Sequence, residues 1–178
     1  MKSSLSKRSL ITVAVLLAAM ALAVAADEPG SRAVLQPAGQ RKPAPEIKLE
    51  DSLGKTATLA QYRGQVVVLD FWATWCHGCK QEIPWFVEFH QKYASRGLAV
   101  VGVSLDDDGW KVVKPFIETA KVPYRIVLGN NATATLYRIS SMPDTFLIDR
   151  QGRLAATYNG MVDRDNIEKN IQAMLAEK

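Results

Sequence analysis

The sequence predicts one α/β domain with a mixed β-sheet, and three observations carry that prediction. Val66-Val67-Val68-Leu69-Asp70-Phe71-Trp72 is a nearly continuous run of β-formers, the pattern of a strand covered on both faces and hence of a central strand. Strand-like and helix-like segments alternate after it as far as Arg138. The chain then closes with a β-hairpin and an amphipathic helix, which makes the sheet mixed.

The elements follow in order. Residues 1–26 hold Lys2, Lys7 and Arg8, an apolar run from Leu10 to Val24, and a small-residue end at Ala23-Val24-Ala25-Ala26. That is the pattern of a secretory signal peptide, with retention as an N-terminal anchor the alternative; the run of about 15 residues is shorter than the roughly 20 a spanning helix needs. Residues 27–45 carry four prolines and no apolar periodicity, so they read as a flexible linker, and the folded domain is expected over 46–178. Ile47-Lys48-Leu49-Glu50 alternates like a strand and Thr56-Ala57-Thr58-Leu59 returns across a turn, giving a hairpin. Ile83, Phe86, Val87 and His90 share a helical register over about 77–95, with Pro84 predicting a kink and Gly97 just past the end. Residues 98–105 form a second buried strand, 110–121 a helix that stops before Pro123, 125–128 a short strand and 131–138 a helix. Residues 144–149 and 154–158 pair across Arg150-Gln151-Gly152. The last helix runs from Asp163 to about Ala176, with Asp165 and Glu168 spaced like a capping box.

Composition agrees with one ordinary globular domain: 178 residues, 48% hydrophobic and 22% charged. With 11 Gly, 8 Pro and two Cys, the chain is neither collagen-like nor disordered, nor a disulfide-stapled miniprotein. The formal charge of +4 falls to +1 without residues 1–26, because 19 basic residues then face 18 acidic ones. No basic stripe interleaved with aromatics remains, which excludes a nucleic-acid partner. Asp106-Asp107-Asp108 reads as a solvated loop rather than a metal site.

Cys76 and Cys79 stand where the predicted central strand hands over to a helix. The free N–H groups and positive dipole end of a helix stabilise an anion on Cys76, lowering its pKa into roughly the 3.5–7.5 range of reactive cysteines. A purely structural disulfide is a poor alternative, since a loop of about four residues gains about 2 kcal/mol in the chain-entropy model against roughly 4.7 for a 100-residue loop. Zinc would need four ligands, and His77 and His90 lack the spacing to complete a set with the two thiols. Haem attachment would need His after the second cysteine, where Lys80 stands. A redox dithiol remains, with no cofactor or metal beyond the Cys76–Cys79 pair itself.

Neighbours of the pair have candidate roles. Cys79, one turn into the helix, is the shielded partner that resolves a mixed disulfide on Cys76. Glu82 shares its helix face at i+3 and is placed to exchange a proton with that thiol, although the same spacing suits an exposed helix glutamate. Asp70, an acid within an apolar strand, is either exposed on a strand face or buried with a raised pKa that suits acid/base work near the cysteines. His77, between the cysteines, is placed to stabilise the thiolate and make the pair more oxidising. His90 and Trp72 read as packing residues. Trp75, beside Cys76, reads as packing or as part of a substrate surface.

The segment Asp70-Phe71-Trp72-Ala73-Thr74-Trp75-Cys76-His77-Gly78-Cys79, followed by Glu82 and Pro84, resembles the W-C-x-x-C-x-x-E-x-P signature of the thioredoxin-like TlpA/ResA group of exported thiol:disulfide oxidoreductases. The likeness runs from about Ile47 to the C-terminus and includes Leu49-Glu50-Asp51-Ser52-Leu53-Gly54-Lys55 and Met142-Pro143-Asp144-Thr145-Phe146-Leu147-Ile148-Asp149. It implies a thioredoxin-like fold, a central mixed sheet flanked by helices on both faces with an N-terminal hairpin extension. It also implies that Pro143 is a cis-proline facing the C-x-x-C, that Met142 offers its backbone to a substrate cysteine, and that Asp70 and Glu82 are the group's buried acids. Two departures stand out: His77-Gly78 where the group commonly has Gly or Pro, and Asp144 in place of the first threonine of a TTF-like segment.

The resemblance implies protein disulfide substrates such as apocytochrome c or copper-site assembly proteins, a membrane thiol carrier of the CcdA/DsbD type as reductant, and a periplasmic or other extracytoplasmic location. The alternatives are a disulfide oxidant or isomerase, a thiol peroxidase, and a copper-binding module. A reduction potential near −270 mV rather than near −120 mV separates reductant from oxidant. Failure to consume hydrogen peroxide, and absence of tight metal binding, exclude the other two.

Overall fold

The computed structural model describes residues 30–177. Residues 1–26, read as a signal peptide, lie outside the described residues; no helix among those described is long and apolar enough to cross a membrane. Eleven regular elements follow in order: β1 (Lys48–Asp51), β2 (Thr56–Thr58), β3 (Val66–Trp72), α1 (His77–Tyr93), β4 (Leu98–Ser104), α2 (Trp110–Thr119), β5 (Arg125–Leu128), α3 (Asn131–Tyr137), β6 (Asp144–Ile148), β7 (Leu154–Asn159) and α4 (Arg164–Ala176).

The strands form one seven-stranded sheet in the order β2-β1-β5-β4-β3-β6-β7. β3, β4 and β5 are parallel; β1 pairs antiparallel with β2 and β5, and β6 with β3 and β7. All seven residues of β3 and of β4 are buried, as their continuous apolar runs require. Strand β3 is interior rather than central: β4 holds the middle place, because the N-terminal hairpin adds two strands on its far side.

Alternation sorts the β3 side chains into two cores. Val66, Val68 and Trp72 pack under α1 and α4 with Phe86, Phe89, Ile167 and Ile171, while Val67, Leu69 and Phe71 pack with Tyr137 of α3 and the hairpin residues Leu49 and Ala57. Asp70 shares the α1 side. Gly102 of β4 sits beside it in register and serves a close approach: a Cβ there would lie 2.6 Å from Ile126 Cδ1 and 2.9 Å from the Trp72 indole nitrogen. Gly102→Ala is therefore expected to lower stability by about 1–3 kcal/mol through overpacking, read from the midpoint of chemical denaturation.

The largest difference from the sequence expectation concerns the linker. Residues 30–45 are not a free tether within the described chain but a strap laid along β7 and α4. The Gln36 N–H donates to the Ala155 carbonyl (2.8 Å), the Leu154 N–H to the Lys42 carbonyl (2.8 Å) and the Ala44 N–H to the Gly152 carbonyl (3.0 Å). The buried Arg41 guanidinium donates to both carboxylate oxygens of Glu177 (2.6 Å each) and to Asp149 (3.3 Å). Proline content and missing periodicity describe a segment without internal structure, and the strap takes its structure from partners more than 100 positions away.

A smaller correction concerns the last helix. The N-cap of α4 is Asp163, whose carboxylate accepts the Asn166 N–H (2.8 Å), and not the Asp165 and Glu168 pair; Glu168 instead takes up Lys92 (2.7 Å) and the Tyr93 hydroxyl (2.6 Å). Helix α1 continues through Pro84 to Tyr93, and Gly97 follows in the left-handed region at φ 94°.

Candidate active site

The cysteines stand at the junction of β3 and α1, at the end of the sheet where β6 begins. Cys76 is the N-cap of α1, and the Cys79 N–H is directed at its sulfur (3.2 Å). The two are joined in a disulfide with 5.3 Å between Cα atoms. Cys79 is fully buried and Cys76 is 6% exposed, so Cys76 is the more accessible of the two.

Pro143 begins where the sheet brings β6 alongside β3. Its peptide bond with Met142 is cis, and it abuts the C-x-x-C turn: a Cβ on Gly78 would lie 3.4 Å from Pro143 Cδ. Met142 is half-buried against the α1-side core. Trp75 is 66% exposed beside Cys76, a large apolar surface open among the described residues. That arrangement makes Trp75 surface rather than core. His77 is exposed, and its Nε2 lies 3.1 Å from Gln81 Nε2; its polar contact is one turn along the helix rather than with Cys76.

Beneath the disulfide lie two carboxyls. Asp70 is 1% exposed; the Thr145 hydroxyl approaches one oxygen at 3.4 Å, and the other has no partner among the described residues. Glu82 is fully buried, accepts the Val162 N–H on Oε1 and leaves Oε2 without a partner among the described residues. Burial pushes both carboxyls well above the ordinary carboxylate range, toward and past neutrality, and repulsion from Asp70 raises Glu82 further. Asp144, also raised by burial, adds to the repulsion on each, while Gly160 N–H holds it at 3.2 Å. Tyr124 completes the lining; burial and these same carboxyls keep its hydroxyl protonated. Such a group of acids can hold one proton fewer or more near neutral pH, as a proton donor and acceptor for a thiol requires.

The structure thus gathers Cys76, Cys79, Glu82, Asp70 and Pro143, with Trp75 and Met142 at the rim and His77 turned away. It also adds a residue that sequence reasoning placed in a solvated loop. Asp107 and Asp108 are exposed, but Asp106 is buried and clamps the turn leading to Cys76. Its carboxylate accepts the Thr74 N–H on both oxygens (3.1 and 3.0 Å), the Thr74 hydroxyl (2.6 Å) and the Ser104 hydroxyl (2.8 Å). The signal was its position two residues past the buried strand β4, which runs parallel to β3 and so finishes at the same end of the sheet. His90 packs its ring against Tyr124, with centroids 6.2 Å apart.

Fold and site together define a thioredoxin-like thiol:disulfide oxidoreductase, with a helix-capping cysteine bonded to a buried second cysteine and carboxyls beneath them. The chain belongs to the AhpC/TSA family, whose family model matches residues 41–157. Among curated relatives, the thiol-disulfide oxidoreductase ResA of Geobacillus kaustophilus is 30% identical over 132 residues, covering 74% of this chain and 75% of the relative. ResA of Bacillus subtilis is 32% identical over 126 residues, covering 70% and 69%. A solved structure described as a putative thiol:disulfide interchange protein DsbE from Chlorobium tepidum superposes with a TM-score of 0.67 at 32% identity, over 84% of this chain and 99% of that one.

Proposed function

We propose that this chain is exported and reduces disulfides of client proteins in the cell envelope, with apocytochrome c and copper-site assembly proteins as the client classes. The observation that carries the proposal is the pairing of a helix-capping Cys76 with a buried Cys79 above two carboxyls of raised pKa. In the reduced chain, the Cys76 thiolate attacks one sulfur of the client disulfide; a Cys76–client disulfide forms, and the other client sulfur leaves as a thiolate and takes up a proton. The client segment lies across Met142, Pro143 and Trp75. Cys79 then gives its proton to Asp70 or Glu82, and its thiolate attacks Cys76 Sγ. The second client sulfur leaves as a thiolate and takes up that proton, so the client departs as a dithiol and the chain holds the Cys76–Cys79 disulfide. Two electrons and two protons from a membrane thiol carrier of the CcdA/DsbD type restore the dithiol.

The pattern from Lys2 to Ala26 supports export, and the curated relatives named thiol-disulfide oxidoreductase support the disulfide chemistry. The test is trapping. The Cys79→Ala variant, expressed with its N-terminal segment in a bacterial host, is expected to accumulate mixed disulfides through Cys76, and mass spectrometry of the adducts identifies the clients. Recovery of the variant in the cytoplasm, or adducts with cytoplasmic proteins alone, would overturn the reading.

A further inference from the structure

The N–H that holds Glu82 comes from a loop pinned by the strap. The Ser31 N–H donates to the Met161 carbonyl (2.6 Å) and the Asp163 N–H to the Ser31 carbonyl (2.8 Å), pairing Ser31 with Val162 in a parallel bridge. Successive amides of extended backbone point to opposite sides. With the carbonyl of Met161 and the amide of Asp163 committed to the strap, the Val162 N–H is aimed inward, and there it donates to Glu82 Oε1.

Further contacts secure the strap. Arg32 pairs with Asp163 (2.5 Å), the Ala33 N–H donates to Asn166 Oδ1 (2.9 Å), and Asn170 Nδ2 donates to the Ala33 carbonyl (2.9 Å). The approach is tight enough that a Cβ on Gly30 would lie 2.5 Å from the Val162 carbonyl oxygen and 2.6 Å from the Asp163 nitrogen.

We propose that residues 30–36 are a positioning element of the redox site, holding the Val162 amide on Glu82 and so setting how readily that carboxyl releases its proton. The consequence for turnover rests on Glu82 acting on the Cys79 proton, as proposed above. The other groups that face Glu82 are Asp70 from β3, Asp144 from β6, Tyr124 ahead of β5 and Cys79 on its own helix. None of these hydrogen-bonds to residues 30–36 among the described residues, so the Val162 amide is the polar link through which a displaced strap acts on Glu82. An N–H bond to a carboxylate favours the ionised form, and its loss moves ionisation to higher pH.

The experiment follows the Glu82 side-chain carboxyl by ¹³C NMR across pH, the resonance being assigned by its absence in Glu82→Gln. In Gly30→Ala, whose new methyl collides with the Val162 carbonyl, the midpoint is expected to move alkaline by about 0.5–1 unit. Arg32→Ala, which leaves the core untouched, is expected to move it the same way by less. Gly39→Ala is the control, because a Cβ there meets nothing within 4 Å. An unchanged midpoint in Gly30→Ala, or an equal shift in Gly39→Ala, would overturn the proposal. The pH profile of client release, measured on the same variants, separates the two readings: a shifted carboxyl with an unshifted profile keeps the strap's role and removes Glu82 as the acceptor of the Cys79 proton.

Discussion

Replacing Cys76 with serine is expected to lower the rate at which the reduced protein opens a model disulfide by at least roughly a thousandfold. The physical reason is the difference between a thiol and a hydroxyl at the same N-cap. A helix N-terminus and the Cys79 N–H at 3.2 Å can bring a thiol to its anion at neutral pH, whereas an alkoxide lies far beyond their reach. Serine also caps a helix well, so the fold and its stability are expected to survive, and a circular dichroism melt of the reduced forms checks this. Cys79→Ala behaves differently: its first attack proceeds and its release fails. A stopped-flow assay with a chromogenic disulfide therefore separates the roles. Full activity in Cys76→Ser would sink the assignment of the nucleophile.

The second large effect is a stability that falls as pH rises. Glu82 and Asp70 carry folded-state pKa values above those of the unfolded chain, so the native protein binds their protons more tightly. The contribution is intact below the ordinary carboxylate range and is lost as pH rises through the raised folded values. Each such group changes the unfolding free energy by up to about 1.4 kcal/mol per pH unit while only its unfolded form is ionised. Glu82→Gln keeps an acceptor for the Val162 N–H and removes the charge. It is expected to flatten the decline between about pH 5 and about pH 9, and so to be more stable than the parent at the alkaline end and closest to it at the acid end. Urea unfolding of the oxidised forms at several pH values measures this; parallel curves would show that Glu82 titrates as it does in the unfolded chain.

Much of the site was legible because its chemistry is local in sequence. Cys76 and Cys79 are three positions apart, and the run before them identifies the strand that delivers them to a helix start. Glu82 follows one turn later, so helical periodicity puts it on the face of Cys79. The cis-proline was within reach only through resemblance, since Pro143 meets Gly78 across 65 positions that no local pattern connects. Asp106 was misread for a related reason. An acidic run is ordinarily solvated, and its first member differs from Asp107 and Asp108 only because the end of β4 lies beside the Thr74 turn.

The sequence by itself determined the element order, the hairpins at both ends of the sheet and the reactive pair, because these follow from periodicity, turn residues and helix capping acting over a few positions. Only the tertiary structure decided the ionisation of Asp70 and Glu82, which depends on how completely water is excluded from both and how near Asp144 lies. It also decided that residues 30–45 are a strap, since backbone groups there find their partners in β7, α4 and the loop between them. Dielectric exclusion and long-range pairing are properties of the packed chain, so the acids beneath the cysteines and the strap behind them become visible once the sheet is assembled.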